Sequence, residues 1–171
     1  MREALRTLQQ TGLVEGEERN SLRVRRLTSR EIAELYEVRA ALEGQALALI
    51  LTSPDHADLI AELEGALPQD DGDLTLPQRF NQDLAFHEAI CRLAGNQILT
   101  RMWTSAKDLM WITVLDNPDE QKSALMGRDN HEPIVAALRA GDPDEARRRL
   151  EEHMRRAAAV WASARPAEHV P

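Results

Sequence analysis

The chain has 171 residues, a formal net charge of −8 and a single cysteine, Cys91, which excludes an internal disulfide and a cysteine-based zinc finger. The longest apolar stretch, residues 46–51, is too short to cross a membrane, and residues 1–10 lack the apolar core of a signal peptide. We therefore expect a cytoplasmic protein without membrane contact, built as one main domain with a small appendage. Aromatic residues account for only 4% of the sequence, and the abundance of Leu, Ala, Arg and Glu favours helices over sheets.

The first 27 residues differ from the rest in charge and in pattern. Residues 1–27 contain six arginines and four glutamates, whereas residues 28–171 contain 15 basic and 25 acidic residues. A short helix is predicted over residues 2–11, and residues 13–14 and 22–27 are extended pieces that flank a polar turn. This order is typical of the back half of a winged helix-turn-helix, which we predict over residues 1–27. A solvated basic face is the alternative explanation for the arginines.

Helical periodicity dominates the remainder, and capping signals divide it into helices. Thr28 and Glu31 form a capping-box pattern, and Ser53 is predicted to cap the next helix. The predicted helices cover residues 28–52, 54–67, 78–94, 96–115, 119–127, 129–140 and 143–163. The expected fold is all-α, an antiparallel bundle of about six to seven helices over residues 28–165, followed by a tail at residues 166–171.

Four polar residues are spaced so that they can converge inside this bundle. Asp83 and His87 are separated by four residues and therefore share one helix face. His131 and His153 lie at nearly equal sequence distances from the turn at residues 140–143, so both imidazoles should sit roughly 16 Å above it at about 1.5 Å per residue. Three imidazoles and one carboxylate suit a divalent transition metal, with Zn²⁺ or Ni²⁺ favoured and Mn²⁺ or Fe²⁺ also compatible.

The spacing alone leaves an ordinary explanation open for each of these residues. His131 can be a surface residue in the first turn of its helix, His153 can be exposed, and Asp83 can cap a helix or form a salt bridge. Arg39 lies in the apolar stripe of the first long helix and is our candidate partner for a carboxylate ligand. An ion pair with Glu43, one turn later, is an equally good explanation for Arg39.

Several segments together resemble the GntR family of transcriptional regulators, of the FadR type that carries an FCD effector domain. The start of the chain, REALRTLQQTGLV, resembles the end of the family's DNA-recognition helix and the start of its wing. The segment LTSREIAELYEVRAALEGQALAL is similar to the helix that opens the effector domain. DLAFHEAICRLAGN and HEPIVAALRAGDPDEARRRLEEH match its D-x-x-F-H…GN and H…I…A…GD…A…H patterns.

The resemblance implies specific roles for residues and partners. The helical bundle would hold a metal through four ligands, namely Asp83, His87, His131 and His153. A small carboxylate effector would bind at or near that metal, with Arg39 as its partner. Asn96 matches the family's GN motif, which leaves effector contact and helix capping as its two explanations. The family's members are homodimers that bind palindromic operators, and effector binding changes the spacing of their DNA-reading heads.

The resemblance also places Arg2, Arg6 and Arg19 on the DNA-facing part of the head. The sequence begins inside the recognition helix, so we expect operator DNA to be a partner only of a full-length form. The wing departs from the family as well, because Asn20 and Ser21 stand where glycines are usual.

The leading hypothesis is therefore a metal-dependent, small-carboxylate-sensing effector domain of a DNA-binding transcriptional regulator, and not an enzyme. A metalloenzyme is the first alternative, because open metal positions can activate water. No general base stands beside the ligands in sequence, and Glu88 faces a different side of its helix from His87. A dimerisation module without a small ligand is the second alternative.

Overall fold

The computed structural model describes residues 3, 12–16, 22–69, 72–116 and 120–163, and for residues 115, 116 and 120–122 it describes the backbone only. Two short strands, six α-helices and one 3-10 helix make up this part of the chain. In order they are β1 (Val14–Glu15), β2 (Arg23–Val24), α1 (Ser29–Thr52), α2 (His56–Gly65), α3 (Leu76–Leu93), α4 (Gln97–Asp116), the 3-10 helix (Glu120–Met126), α5 (Arg128–Arg139) and α6 (Pro143–Ala162). The predicted all-α bundle is confirmed.

The two strands form a small antiparallel ladder ahead of the bundle. Val14 lies opposite Val24, and Glu15 lies opposite Arg23. The pairing agrees with the two extended pieces that the sequence predicts. The rest of the predicted winged helix-turn-helix lies largely outside the described residues, and so do the DNA-binding candidates Arg2, Arg6 and Arg19 and the tail at residues 166–171.

Helix α1 begins at the predicted capping box. Thr28 Oγ1 accepts a hydrogen bond from the Glu31 backbone N–H at 3.1 Å, and the Glu31 carboxylate accepts from the Thr28 N–H at 2.8 Å. These two bonds satisfy donors that the first helical turn leaves free. The helix then runs for 24 residues and packs most extensively on α6. The inward face of α1 is thereby placed against the helices that carry the polar cluster.

Helices α5 and α6 are joined by a tight turn that fixes their relative height. Gly141 has φ +68°, a left-handed conformation that glycine adopts without a Cβ penalty. Its N–H donates a hydrogen bond to the Leu138 carbonyl, and the Asp142 N–H donates one to the Ala137 carbonyl. These two hydrogen bonds form a Schellman motif. The Asp142 side chain then accepts from the Glu145 N–H at 2.9 Å and starts α6. The chain therefore reverses within a few residues and lays α6 against α5.

Three predicted boundaries are corrected by the structure. Ser53 ends α1, with its N–H bonded to the Ile50 carbonyl, so the N-cap position of α2 is Asp55 instead. Helix α3 begins two residues earlier than predicted, because Thr75 and Gln78 form a capping box. The segment predicted as a helix at residues 119–127 is a 3-10 helix over Glu120–Met126. None of the helices in the described residues is long and apolar enough to span a membrane.

Candidate metal centre

Three helices contribute one cluster of buried polar side chains. Helix α3 supplies Asp83 and His87 one turn apart on its inward face, α5 supplies His131 near its start, and α6 supplies His153 near its middle. All four side chains are buried, although charged and polar groups are rarely buried without a partner. Their position inside the bundle excludes the explanation that they are separate surface residues.

The α5–α6 hairpin brings His131 and His153 together as their spacing predicts. The two ring centroids lie 4.6 Å apart, with the ring planes inclined by 59°. The His87 ring lies 5.1 Å from that of His131 and 5.3 Å from that of His153. The three imidazoles therefore surround a common point.

The potential ligand atoms are close enough to hold one ion. One nitrogen or oxygen from each of the four residues lies within 4.8 Å of the others. His131 Nε2 is 3.3 Å from His87 Nε2 and 3.1 Å from Asp83 Oδ1. His87 Nε2 is 3.8 Å from the same carboxylate oxygen. Ligands about 2.0–2.2 Å from one ion are separated from each other by distances of this order.

Hydrogen bonds on the outer side of the cluster set the tautomers of two imidazoles. His87 Nδ1 lies 2.6 Å from Glu43 Oε2, and His131 Nδ1 lies 2.9 Å from the Gly127 carbonyl oxygen. Both oxygens are acceptors, so each Nδ1 donates its hydrogen. In the neutral ring the lone pair is then on Nε2, the nitrogen that faces inward. The buried Nδ1 of His153 finds no hydrogen-bond partner among the described residues. The donor set therefore fits a metal ion.

Burial and neighbouring groups favour the proton-free forms that a metal requires. Burial lowers the pKa of His87 and takes the pKa of His153 well below its ordinary value, so both rings are neutral near pH 7. Burial alone would raise the pKa of Asp83. The close approach of His131 and the charges of nearby groups outweigh it, and the net pKa is lowered. The cluster thus presents the Asp83 carboxylate and the neutral imidazoles of His87 and His153.

Arg39 lies beside this cluster and forms the ion pair that was its alternative explanation. Its Nε lies 3.1 Å from Glu43 Oε1, and the two side chains are 1% and 0% exposed. None of the described residues gives the buried Nη2 of Arg39 a hydrogen-bond partner. The ion pair therefore uses only part of the guanidinium and leaves one donor for another group.

Arg39 also lines a small cavity that reaches the cluster. The cavity has a volume of about 10 Å³, and Asp83 and His153 are among its walls. Leu125 and Met126, from the 3-10 helix, close another side. A space of this size holds at most about one water molecule.

Comparison with known proteins identifies the bundle. Residues 34–156 match the FCD domain family. The chain belongs to this family, within the GntR transcriptional regulators. It is 31% identical over 157 residues to the "Probable D-xylose utilization operon transcriptional repressor" of Paenarthrobacter nicotinovorans, an alignment that covers 90% of this chain and 68% of the relative. The FCD relatives are transcriptional regulators, so this chain is not an enzyme.

Solved structures share the fold of this FCD domain at lower sequence identity. E. coli McbR/YncC superposes with a TM-score of 0.75 and 24% identity, covering 95% of this chain and 83% of that protein. The metal-free FCD domain of the regulator TM0439 superposes with a TM-score of 0.62 and 17% identity, covering 81% and 96%. Both likenesses establish the helical bundle.

Glu43 is the residue of the FCD site that the sequence reading does not assign to it. It stands one turn after Arg39 on the inward face of α1, and its spacing predicts only an ion pair with Arg39. The structure shows a second, closer contact, the bond to His87. A carboxylate one turn from an arginine, both within an apolar stripe, is the signal that could have identified it.

Asn96 is separate from the cluster and caps a helix. It is exposed, and its Oδ1 accepts from the backbone N–H groups of Ile98 and Leu99, each at 3.1 Å. These are the contacts expected for the N-cap of α4, the second of its two explanations. Glu88 is directed elsewhere too, since its carboxylate accepts from Lys107 Nζ at 2.8 Å.

Proposed function

We propose that this FCD domain binds one divalent transition metal ion through Asp83, His87, His131 and His153. The observation that carries the proposal is the 3.3 Å separation of the Nε2 atoms of His87 and His131. Each of these nitrogens turns a lone pair inward, because each Nδ1 hydrogen is used elsewhere. Two Nε2 lone pairs and the Asp83 carboxylate oxygen repel one another unless a metal ion or a proton lies between them.

The donor set favours some metals over others. Imidazole suits Zn²⁺, Ni²⁺ and Fe²⁺, and carboxylate oxygen also suits Mn²⁺. Three imidazoles with one carboxylate make Zn²⁺ or Ni²⁺ the best candidates, with Mn²⁺ and Fe²⁺ next. When bound, the ion supplies a Lewis-acidic centre to which an anionic ligand can attach.

The second part of the proposal is a small carboxylate effector next to the metal. With neutral imidazoles, the charges of Arg39, Glu43 and Asp83 leave the site at −1, and a divalent ion changes this to +1. A net positive buried site favours an anion, and the unused Nη2 donor of Arg39 is suited to a carboxylate oxygen. The cavity of about 10 Å³ is too small for such a ligand. Entry therefore requires residues that line the cavity, Leu125 and Met126 among them, to move.

That movement connects ligand binding to regulation. In our proposal the effector domain forms a homodimer, and the winged heads that precede it contact operator DNA. An effector changes DNA affinity only if it binds the two arrangements of the dimer with different affinity. The named role of the relative from Paenarthrobacter nicotinovorans in operon repression supports this assignment.

Elemental mass spectrometry on protein purified without a chelator or a His-tag tests the metal assignment. We expect about one metal ion per chain in the wild type and almost none in the His131→Ala/His153→Ala variant. His56→Ala is the matched control, because His56 is exposed and lies outside the cluster. A folded wild-type protein that takes up no metal, even after reloading with Zn²⁺ or Ni²⁺, overturns the proposal.

Thermal-shift screening tests the effector assignment on metal-loaded protein. Small mono- and dicarboxylates that bind the folded state should raise the melting temperature. The same compounds should have a much smaller effect on Arg39→Met, which keeps a long apolar stem and loses the guanidinium. Equal shifts in the wild type and Arg39→Met would exclude Arg39 as the partner of the carboxylate.

A further inference from the structure

We infer that Glu43 is a positioning residue that selects the metal-binding tautomer of His87 and at the same time fixes the guanidinium of Arg39. The inference rests on the proposed metal site and adds a residue to it that is not a ligand. Glu43 is completely buried on α1, and His87 and Trp103 reach it from α3 and α4. It therefore connects the helix of the anion-binding candidate with a helix that provides metal ligands.

Three donors meet the Glu43 carboxylate, and they divide its two oxygens. Oε2 accepts from His87 Nδ1 at 2.6 Å. Oε1 accepts from Trp103 Nε1 at 2.7 Å and from Arg39 Nε at 3.1 Å. An indole N–H and a guanidinium N–H can only donate, so these two partners require an acceptor at Oε1. A carboxylate is the side chain that offers an acceptor at both positions.

A glutamine at position 43 cannot reproduce this arrangement. If its carbonyl oxygen faces Trp103 and Arg39, its NH2 group faces His87 Nδ1, which must then become an acceptor. The hydrogen of His87 moves to Nε2, the atom that faces the other ligands, and the metal-binding lone pair is lost. If the amide is turned round, its NH2 group confronts two donors that cannot accept. The first orientation leaves fewer buried donors unpaired, and so we expect it.

The selection of the tautomer has a direct consequence for metal binding. Replacing a carboxylate that orients a metal-bound histidine usually lowers metal affinity about 10–100-fold. We expect a loss of this size in Glu43→Gln, although none of the four ligands is changed. The amide oxygen still accepts a hydrogen bond from Arg39 in this orientation, so the variant changes the tautomer of His87 and keeps the acceptor that positions the guanidinium.

The test compares wild type, Glu43→Gln and Glu37→Gln. Glu37 is exposed on the same helix, so the same substitution there controls for the loss of a negative charge. Zn²⁺ affinity is measured by competition with a chromophoric chelator, and circular dichroism checks folding. Nitrogen-15 NMR of the imidazoles in metal-free and Zn²⁺-loaded protein identifies which ring nitrogen of His87 carries the hydrogen.

The expected result is Nδ1–H on His87 in the wild type and in Glu37→Gln, and Nε2–H in metal-free Glu43→Gln. Zn²⁺ affinity should fall about 10–100-fold in Glu43→Gln alone. Wild-type protein with Nε2–H on His87, or equal affinity in all three proteins, overturns the role of Glu43. The wild-type tautomer remains decisive if Glu43→Gln does not fold. Failure of the wild type to bind Zn²⁺ at all overturns the proposed metal site instead.

Discussion

His87 and His131 face each other through Nε2 atoms 3.3 Å apart, and each donates its Nδ1 hydrogen to an oxygen on the far side. The two outer bonds hold the rings in an orientation that brings their lone pairs together. The carboxylate oxygen of Asp83 lies 3.1 Å from His131 Nε2 and adds negative charge at the same point. A bound cation would offset the repulsion among these atoms, so we expect the stability of the folded chain to depend on one.

Metal should raise the melting temperature of the wild type, and Asp83→Asn should greatly reduce the effect. At a free Zn²⁺ concentration about 100 times the dissociation constant, binding to the folded state adds about 2.7 kcal/mol. For a chain of this length, that corresponds to a rise of roughly 5–10 °C. Differential scanning calorimetry with Zn²⁺ and with EDTA measures the difference. Asp108→Asn, at an exposed position of α4, should behave as the wild type. An equal rise in Asp83→Asn would contradict the assignment.

Metal-free protein should lose stability as the pH falls below about 6.5, the ordinary histidine pKa. The folded-state pKa values of His87 and His153 are lowered, chiefly by burial. Below about pH 6.5 the unfolded chain therefore binds protons that the folded chain does not, and the free energy of unfolding decreases. The lowered pKa of Asp83 adds a further loss only below about pH 4, where the unfolded carboxyl becomes protonated.

Urea unfolding in EDTA at several pH values between about 7.5 and 5 measures this dependence. His153→Gln should flatten it, because one buried imidazole no longer needs to remain neutral. His56→Ala should leave it unchanged. Stability that is constant over this range in the wild type would show that the two histidines do not stay neutral in the folded protein.

Phe86→Ala should destabilise the bundle and loosen the cluster. The Phe86 side chain is completely buried, and its ring lies 5.4 Å from that of His87 and 4.9 Å from that of His131. Removing a buried phenyl ring typically costs about 3–5 kcal/mol. The control is Val38→Ala, since Val38 is 51% exposed and surface substitutions usually stay within about 0.5 kcal/mol. Chemical unfolding in EDTA measures the free energy of unfolding of Phe86→Ala and Val38→Ala. A similar decrease in both variants would be inconsistent with the packing of Phe86 in the core.

Asp142→Ala should destabilise the start of α6. The variant removes the oxygen that accepts from the Glu145 N–H, and losing an N-cap of this kind costs about 0.5–2 kcal/mol. Asp144→Ala is the matched control, because Asp144 is an exposed acidic residue in the same helical turn without the capping role. Equal free energies of unfolding for the two variants would argue against capping by Asp142.

Part of the fold and of the candidate site can be predicted from the sequence because local geometry determines it. The Thr28 capping box and the Gly141 turn are short-range patterns, and the fixed rise of a helix then places His131 and His153 at one height. Ser53 shows where such rules compete, since a serine before a proline can start one helix or end another. In the structure Ser53 ends α1, and its N–H donates to the Ile50 carbonyl.

The hydrogen-bond partners of Glu43 could not be predicted from local sequence patterns. A buried carboxylate is stable only where donors from other helices meet it, and here His87 and Trp103 approach it from two other helices. Periodicity places Glu43 on the inward face of α1 but does not reveal those partners. The cavity beside Arg39 depends in the same way on side chains from several elements.

The origin of the ligands on three helices has a consequence for the lifetime of the folded state. His87 and His131 are 44 residues apart, and His153 belongs to the helix that packs on α1. An ion bound by ligands from α3, α5 and α6 would act as a reversible cross-link that closes long loops of the chain. Separation of α3, α5 and α6 would then have to wait for coordination bonds to break. Metal release, rather than the loss of apolar contacts, would set the rate of unfolding.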